Sequence, residues 1–230
     1  MAFVLAALLL AFCDWIAIWK AYPRLGMLTK PAVVLALIAG LWWGGDLAAE
    51  LGAPGIHTLE WLAAGLIFSL AGDVLLMLPR ENLIGGGIAF VFAYLAYSTG
   101  LLSRGFPTSV FWPLAVLGVM IAIVWGRVFA KVQGGSILKG MQQLQAPLAF
   151  QTLVLATMLF AALSRLALFN WLLFPAYLVG AGGLLIFLSD VWLLNDRFAS
   201  PIANARLKIR ITYHLGQIGL VAGVLLYFNK

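Results

Sequence analysis

The chain has 230 residues, of which 64% are hydrophobic and only 10% are charged. A soluble globular domain carries about 25% charged residues, so this composition excludes a water-soluble fold and predicts a membrane protein. The net charge of +6 does not indicate nucleic acid binding, because the basic residues stand in short loops between apolar runs, where they set orientation and meet lipid headgroups.

Eight apolar segments follow one another along the chain, and each is about long enough to cross a bilayer as a helix. We expect the first to be a retained helix and not a cleaved signal peptide, because no basic residue precedes it. The loops are short except for 127–145, which has room for a surface helix. We therefore predict an all-α polytopic membrane protein, a bundle of about eight transmembrane helices that forms a single transmembrane domain over residues 1–230. The segments are about 2–19, 31–49, 58–79, 83–103, 108–127, 146–164, 171–194 and 207–228.

The basic residues are unevenly divided between the two sides of this bundle. Eleven of the fourteen lysines and arginines lie near the loops that follow the odd-numbered segments. The positive-inside rule places these loops in the cytoplasm and both chain termini outside. A bacterial inner membrane is the expected location, because the chain is short and lacks sorting tails. The eleven residues are Lys20, Arg24, Lys30, Arg80, Arg127, Lys131, Lys139, Arg197, Arg206, Lys208 and Arg210.

Two intramembrane acids stand in similar surroundings 117 residues apart. The stretch from Asp73 to Arg80 resembles the stretch from Asp190 to Arg197, and the two lie at the ends of the third and seventh segments. The similarity suits two parallel four-helix halves, although chance or a shared helix-end chemistry would also produce it. Each acid lies roughly 10 Å before the basic residue at its helix end, so both carboxyl groups are predicted at one depth beneath the cytoplasmic surface.

Further polar residues are predicted at the same level of the membrane. Tyr213 and Gln217 are four residues apart and share one face of the eighth helix. Pro31 suits the first position of the second helix, which places Lys30 at the cytoplasmic end of that helix. The substrate-binding or supporting residues that we predict are Lys30, Asp14, Tyr94, Asn195, Tyr213 and Gln217.

Ionisable residues inside a membrane are costly and therefore indicate function. Two carboxyl groups in one low-dielectric pocket tend to share a single negative charge, so Asp73 and Asp190 can act as a general acid and a general base. No metal or other cofactor is expected, because His57 and His214 are predicted on opposite sides of the membrane and cannot form a three-histidine site.

Three other functions would use the same two acids. An intramembrane aspartyl protease also has two membrane-embedded acids, but Leu70 stands where its G-x-G-D motif has glycine, and the chain has no Tyr-Asp motif. A lipid transporter or a proton-coupled transporter suits buried acids and a half-repeat. In a purely structural role, each Asp would pair with a lysine or cap backbone groups and so tie helices together.

Four short motifs, in their order along the chain, resemble the YhhN-like lysoplasmalogenase family of multi-helix membrane enzymes. The resemblance runs over nearly the whole chain, and one departure from the family pattern stands in the fourth helix. Tyr94 occupies the position at which family members often carry a histidine. The motifs are Lys30-Pro31, Gly72 to Met77, Phe187 to Asp190 with Arg197-Phe198, and Thr212 to Gln217.

This resemblance implies hydrolysis of the vinyl ether bond of lysoplasmalogens to a fatty aldehyde and a glycerophospho-ethanolamine or -choline. Vinyl ethers are cleaved by acid, and a pair of carboxyl groups divides this work as in the glycosidases. The expected acid/base pair is Asp73 and Asp190, and Lys30 either contacts the substrate phosphate or pairs with an Asp. The expected partners are the lysophospholipid substrate, which would reach the site from the bilayer, and membrane lipids.

Overall fold

The structure is a computed structural model that describes residues 1–50, 56–78, 82–103, 105, 111–138, 140–167 and 173–228, without the side chains of 45–50 and 56. In this part of the chain, eight helices are long enough and apolar enough to cross a membrane. The prediction of an all-α polytopic membrane protein is confirmed. The helices are α1 (Ala2–Trp19), α2 (Pro23–Glu50), α3 (Ile56–Met77), α4 (Leu83–Leu102), α5 (Phe111–Leu138), α6 (Gln145–Ser164), α7 (Leu173–Leu194) and α8 (Ala205–Phe228).

Helix α2 begins at Pro23, eight residues before the predicted start. The prediction that Pro31 is the first helical residue is therefore wrong, because Pro31 lies about two turns inside the helix. Three polar residues lower the apolar content of the first turns of α2, so the predicted apolar segment did not include this part of the helix. Thr29 shows how they are accommodated, since its hydroxyl donates to the Asp14 carboxylate at 2.7 Å inside the bundle.

Helix α5 continues to Leu138, so the predicted end at residue 127 is wrong, and most of the stretch that had room for a surface helix belongs to α5. The charges of Arg127 and Lys131 had marked the end of the apolar segment, but they do not end the helix. Near its end, Gly135 lies so close to the Phe198 carbonyl that a Cβ atom would overlap it. This contact holds α5 against a π-helical turn, Asn195–Ala199, that follows α7.

The α3–α4 and α7–α8 pairs pack in corresponding ways, as the predicted half-repeat requires. Gly65 of α3 and Gly182 of α7 are 117 residues apart, the same separation as the two acids. A Cβ atom at Gly65 would overlap the Tyr97 ring on α4, and a Cβ atom at Gly182 would lie 2.6 Å from the Leu220 nitrogen on α8. The two halves also meet at two corresponding contacts, since the fourth helix of each half packs on the second helix of the other. These contacts are α8 on α2 and α4 on α6.

One end of the bundle gathers the polar segments. The carboxyl ends of α1, α3 and α7 meet the amino ends of α2, α4 and α8 there. The α1–α2 turn is tight, with Ala21 at φ 56°, and Asn204 enters α8 at φ 55°. Asn82 caps α4 by accepting a hydrogen bond from the Gly85 nitrogen at 2.9 Å. These short connections leave a cavity between the helix ends.

Candidate functional site

A cavity of about 570 Å³ opens at this end of the bundle, and we call it the polar cavity. It is bounded by the α1–α2 turn, α2, the end of α3, the end of α7 with its π-helical turn, and α8. Several of the predicted site residues lie in its lining or next to it. Asp73, Asp190, Lys30 and Tyr213 line the wall, and Tyr94 bonds to Asp190.

Asp73 is bonded to two partners from different helices. The Lys30 ammonium of α2 lies 2.6 Å from one of its carboxyl oxygens, and the Tyr213 hydroxyl of α8 donates a hydrogen bond to the other at 2.9 Å. The two contacts use different oxygens of the carboxylate, so both oxygens are bonded. Asp73 is 1% exposed, and a charge so deeply buried is stable only when it is paired and hydrogen-bonded in this way.

Asp190 has a different environment on the same cavity. One of its carboxyl oxygens accepts a hydrogen bond from the Tyr94 hydroxyl of α4. Among the described residues, no cationic group lies within ion-pair distance of it. Each of the two tyrosines therefore bonds to the acid of the other helix pair, but only Asp73 has a lysine.

Phe90 stands between the two tyrosines. Its ring stacks on Tyr94 at a centroid distance of 6.0 Å and meets the edge of Tyr213 at 6.3 Å. The close approach of this ring depends on Gly72, since a Cβ atom there would lie 2.9 Å from Phe90. The glycine before Asp73 thus lets an aromatic wall form directly beside the acid.

A second polar network lies beneath the acids and connects α3, α4 and α8. The Tyr97 hydroxyl donates to the Gln217 amide oxygen at 2.8 Å, and the Gln217 amide nitrogen donates to Ser69 at 3.3 Å. Ser69 and Tyr97 close the ring at 3.0 Å. All three side chains are buried, so Gln217 joins helices here and does not line the polar cavity.

Asp14 and Asn195 lie outside the lining of the polar cavity. Asp14 is fully buried behind the cavity wall, where Arg210 bonds to both of its oxygens at 3.1 and 3.2 Å. The nearest His214 nitrogen is 3.9 Å from Asp14. Asn195 bonds to the Ser200 carbonyl at 3.1 Å and so closes its own π-helical turn. Both residues support the architecture around the cavity.

Sequence reasoning missed two arginines of the cavity lining, Arg206 and Arg210. A signal for them was present, because Arg206, Arg210, Tyr213 and Gln217 repeat at spacings of four, three and four residues. Such spacing places a polar stripe on one face of a helix. Arg206 is exposed at the rim, and together with Lys30 it makes the polar cavity a suitable site for an anionic group.

The cavity brings together carboxyl and phenol groups. Within the described residues, no group of three or more His, Cys, Asp or Glu side chains is arranged to hold a metal ion. The arrangement offers one carboxyl group paired with a lysine, one that has no ion-pair partner among the described residues, and two phenol donors. Such a set can donate a proton and stabilise a positive charge.

The chain matches one known protein family and curated relatives of the same name. The sequence profile of the YhhN family matches residues 25–224. Curated relatives described as "Uncharacterized membrane protein YhhN" from Escherichia coli O6:H1, Escherichia coli O157:H7 and Shigella flexneri are each 36% identical over 104 residues. The matched stretch covers 43% of this chain and 45% of each of these relatives. No solved structure matches the chain.

Proposed function

We propose a reaction for this chain, which belongs to the YhhN family of membrane proteins. It hydrolyses the vinyl ether bond of lysoplasmalogens. The products would be a fatty aldehyde and a glycerophospho-ethanolamine or -choline. One observation carries the proposal: two buried acids on one cavity wall differ in charge compensation, because Asp73 is paired with Lys30 whereas Asp190 has no ion-pair partner among the described residues.

The reaction begins with a proton, and we assign this proton to Asp190. An ionised carboxylate without a counter-cation is costly in an apolar site, so Asp190 is the member of the pair suited to be the acid. It transfers the proton to the vinyl carbon remote from the ether oxygen. The electron pair of the double bond forms the new C–H bond, and an oxocarbenium-like cation results. Tyr94 holds the carboxyl group in place during this transfer.

Asp73 has the complementary task. Its fixed negative charge stabilises the cation and accepts a hydrogen bond from the attacking water, as the second carboxylate does in a glycosidase. Water adds to the carbon that bears the oxygen, and its released proton returns to Asp190. The hemiacetal then collapses to the aldehyde and the glycerol hydroxyl, which leaves both acids in their initial states.

The cationic groups of the cavity suit the headgroup of such a substrate. Lys30 pairs with Asp73, so the role of phosphate contact falls to Arg206 at the rim. By the positive-inside rule, this basic end lies in the cytoplasm and both termini lie outside, with a bacterial inner membrane as the location. The headgroup would then rest at the inner surface of that membrane.

The direct test uses purified protein in lipid nanodiscs and a synthetic lysoplasmenylethanolamine. Mass spectrometry should detect a fatty aldehyde, with one deuterium on the carbon next to the carbonyl when the reaction runs in heavy water. In water enriched in heavy oxygen, the glycerol product should retain its original oxygen, because the bond that breaks is on the vinyl side. Movement of unchanged lipid without product would instead indicate a transporter, and cleavage of a transmembrane peptide would indicate a protease.

Asp73→Asn and Asp190→Asn provide the test of the residue assignment. Each should lower the rate of aldehyde release by about 100- to 10,000-fold while the protein remains extractable and monodisperse. Glu60→Gln is the matched control, because Glu60 is exposed and bonds only to His57 at 3.1 Å among the described residues. Turnover like that of the unaltered protein by either Asp variant would refute the two-acid mechanism.

A further inference from the structure

A second cavity, of about 250 Å³, lies beside the first between α4, α6 and the end of α7. Its lining is almost entirely hydrocarbon, with Leu83, Leu148 and Leu194 among the contributing side chains. We call it the apolar cavity. The catalytic scheme above does not use it.

The two cavities adjoin and share part of their wall. Leu76, Phe90, Leu193 and Arg197 line both of them. Phe90 is the aromatic ring that stands between Tyr94 and the edge of Tyr213, so the wall lies beside the hydroxyl groups that bond to the acids. A molecule that extends from one cavity into the other would pass directly by the proposed site of proton transfer.

The apolar cavity also reaches the surface that faces lipid. Four of its lining residues, on α4 and α6, have about half of their side-chain surface exposed. Exposed hydrocarbon of this kind is stable on a membrane protein because lipid chains cover it. The exposed residues are Ile84 at 57%, Ile88 at 53%, Phe92 at 48% and Phe150 at 54%.

The half-repeat relates the two cavities to each other. The polar cavity lies between α2, α8 and the end of α3, and the corresponding helices of the other half are α6, α4 and the end of α7. Arg206 and Arg210 of the polar cavity correspond to Gly87 and Val91, 119 residues earlier, in the apolar cavity. Corresponding helices thus line both cavities, but two cationic positions of the polar cavity are replaced by glycine and valine in the apolar one.

We propose that the apolar cavity holds the single hydrocarbon chain of the substrate while the headgroup lies in the polar cavity. This inference rests on the proposed function and adds how the substrate is selected. A volume of about 250 Å³ is below that of usual pockets for drug-sized ligands, so it has room for part of one slender chain and not for two chains side by side. The substrate reaches the site sideways, between α4 and α6, and bulk two-chain phospholipid is not bound.

Photochemical labelling tests this inference without any need for turnover. The probe is a saturated ether lysophosphatidylethanolamine with a diazirine near the end of its chain, incorporated with the full chain in phosphatidylcholine nanodiscs. After irradiation and digestion, the expected labels lie on residues 83–92 and 144–151. A diacyl phosphatidylethanolamine with the same diazirine should label these residues no more than it labels the lipid-facing side of α5.

Two variants sharpen the labelling experiment. Gly87→Leu places a side chain inside the apolar cavity and should lower labelling by about tenfold. Ile84→Trp obstructs the opening from a residue that is already exposed, so it does not depend on repacking of the interior. Gly126→Leu is the matched control, because a Cβ atom at Gly126 on α5 would meet no atom within 4 Å and Gly126 lines neither cavity.

The outcomes separate this inference from the proposed function. Labels spread evenly around the bundle, or equal labelling by the two-chain probe, would overturn the inference even if aldehyde is released. Focused labelling that Gly87→Leu and Ile84→Trp both diminish would support the inference even if lysoplasmenylethanolamine is not hydrolysed. In that case only the proposed reaction would be refuted.

Discussion

Asp73 and Asp190 hold equivalent positions in the two halves, yet their surroundings differ in one group. Each accepts a hydrogen bond from a tyrosine of the opposite helix pair, but within the part of the chain that the structure describes Asp73 alone also binds a lysine. The sequence shows where the difference arises, because Lys30-Pro31 of α2 corresponds to Ala146-Pro147 of α6, 116 residues later. The lysine on α2 thus gives Asp73 an ion-pair partner, and the corresponding alanine on α6 gives Asp190 none.

The largest expected effect comes from removing this lysine. Lys30→Met leaves a buried carboxylate without its cation, which should lower the free energy of unfolding by about 3–5 kcal/mol. The double variant Lys30→Met with Asp73→Asn should regain most of this loss, because no unpaired charge remains. Thermal unfolding in detergent measures both, with Lys131→Met on α5 as the control. If Lys30→Met alone were as stable as the unaltered protein, the two acids would not differ as described.

The next effect compares the two tyrosines. Tyr94→Phe removes the hydrogen bond of Asp190, whereas Tyr213→Phe leaves Asp73 still bound to Lys30. Removing the hydrogen-bond partner of a buried polar group costs about 1–3 kcal/mol, so Tyr94→Phe should lower kcat by roughly 5- to 150-fold. Tyr213→Phe should lower kcat by less. Steady-state kinetics of aldehyde release test this order. If Tyr213→Phe lowered kcat more than Tyr94→Phe, the assignment of the transferred proton to Asp190 would be wrong.

A smaller effect is expected from the network beneath the acids. Tyr97→Phe leaves Gln217 and Ser69 without their shared partner and should lower the free energy of unfolding by about 1 kcal/mol. Because this network touches neither acid, kcat should remain within about threefold of its original value. Tyr177→Phe, at a side chain that is 56% exposed, is the control. A large fall in kcat with unchanged stability would place Tyr97 in the chemistry.

The smallest effect concerns the rim of the polar cavity. Arg206→Ala should raise KM for a lysophospholipid by about fivefold, since one basic group near a membrane surface contributes about 1 kcal/mol to the attraction of an anion. The value of kcat should not change. Lys208→Ala removes a similar charge from the same helix but outside the cavity lining, so its KM should stay as it was. Equal effects of the two variants would indicate general surface charge only.

The two acids of the site could be predicted from the sequence, whereas the pairing of each acid with its tyrosine could not. The acids were found because a carboxyl group inside an apolar helix is costly at any rotation of that helix. Their partners were harder to find, because the Tyr94–Asp190 contact joins residues 96 positions apart and depends on how α4 and α7 are turned towards each other. Asp14 and Asn195 have the right residue types at the right depth, yet neither lines the cavity, since Asp14 is bonded to Arg210 behind the wall and Asn195 to Ser200.

The sequence by itself determined the number of membrane spans, the family and the two acids. These follow from local quantities, namely the apolar length that a bilayer demands and the cost of charge within it. Only the tertiary structure decided that α2 starts at Pro23, that the tyrosines cross between the halves and that an apolar cavity adjoins the polar one. Those features depend on helix rotation and close packing at residues such as Gly65 and Gly182, and helix hydropathy carries no information on either.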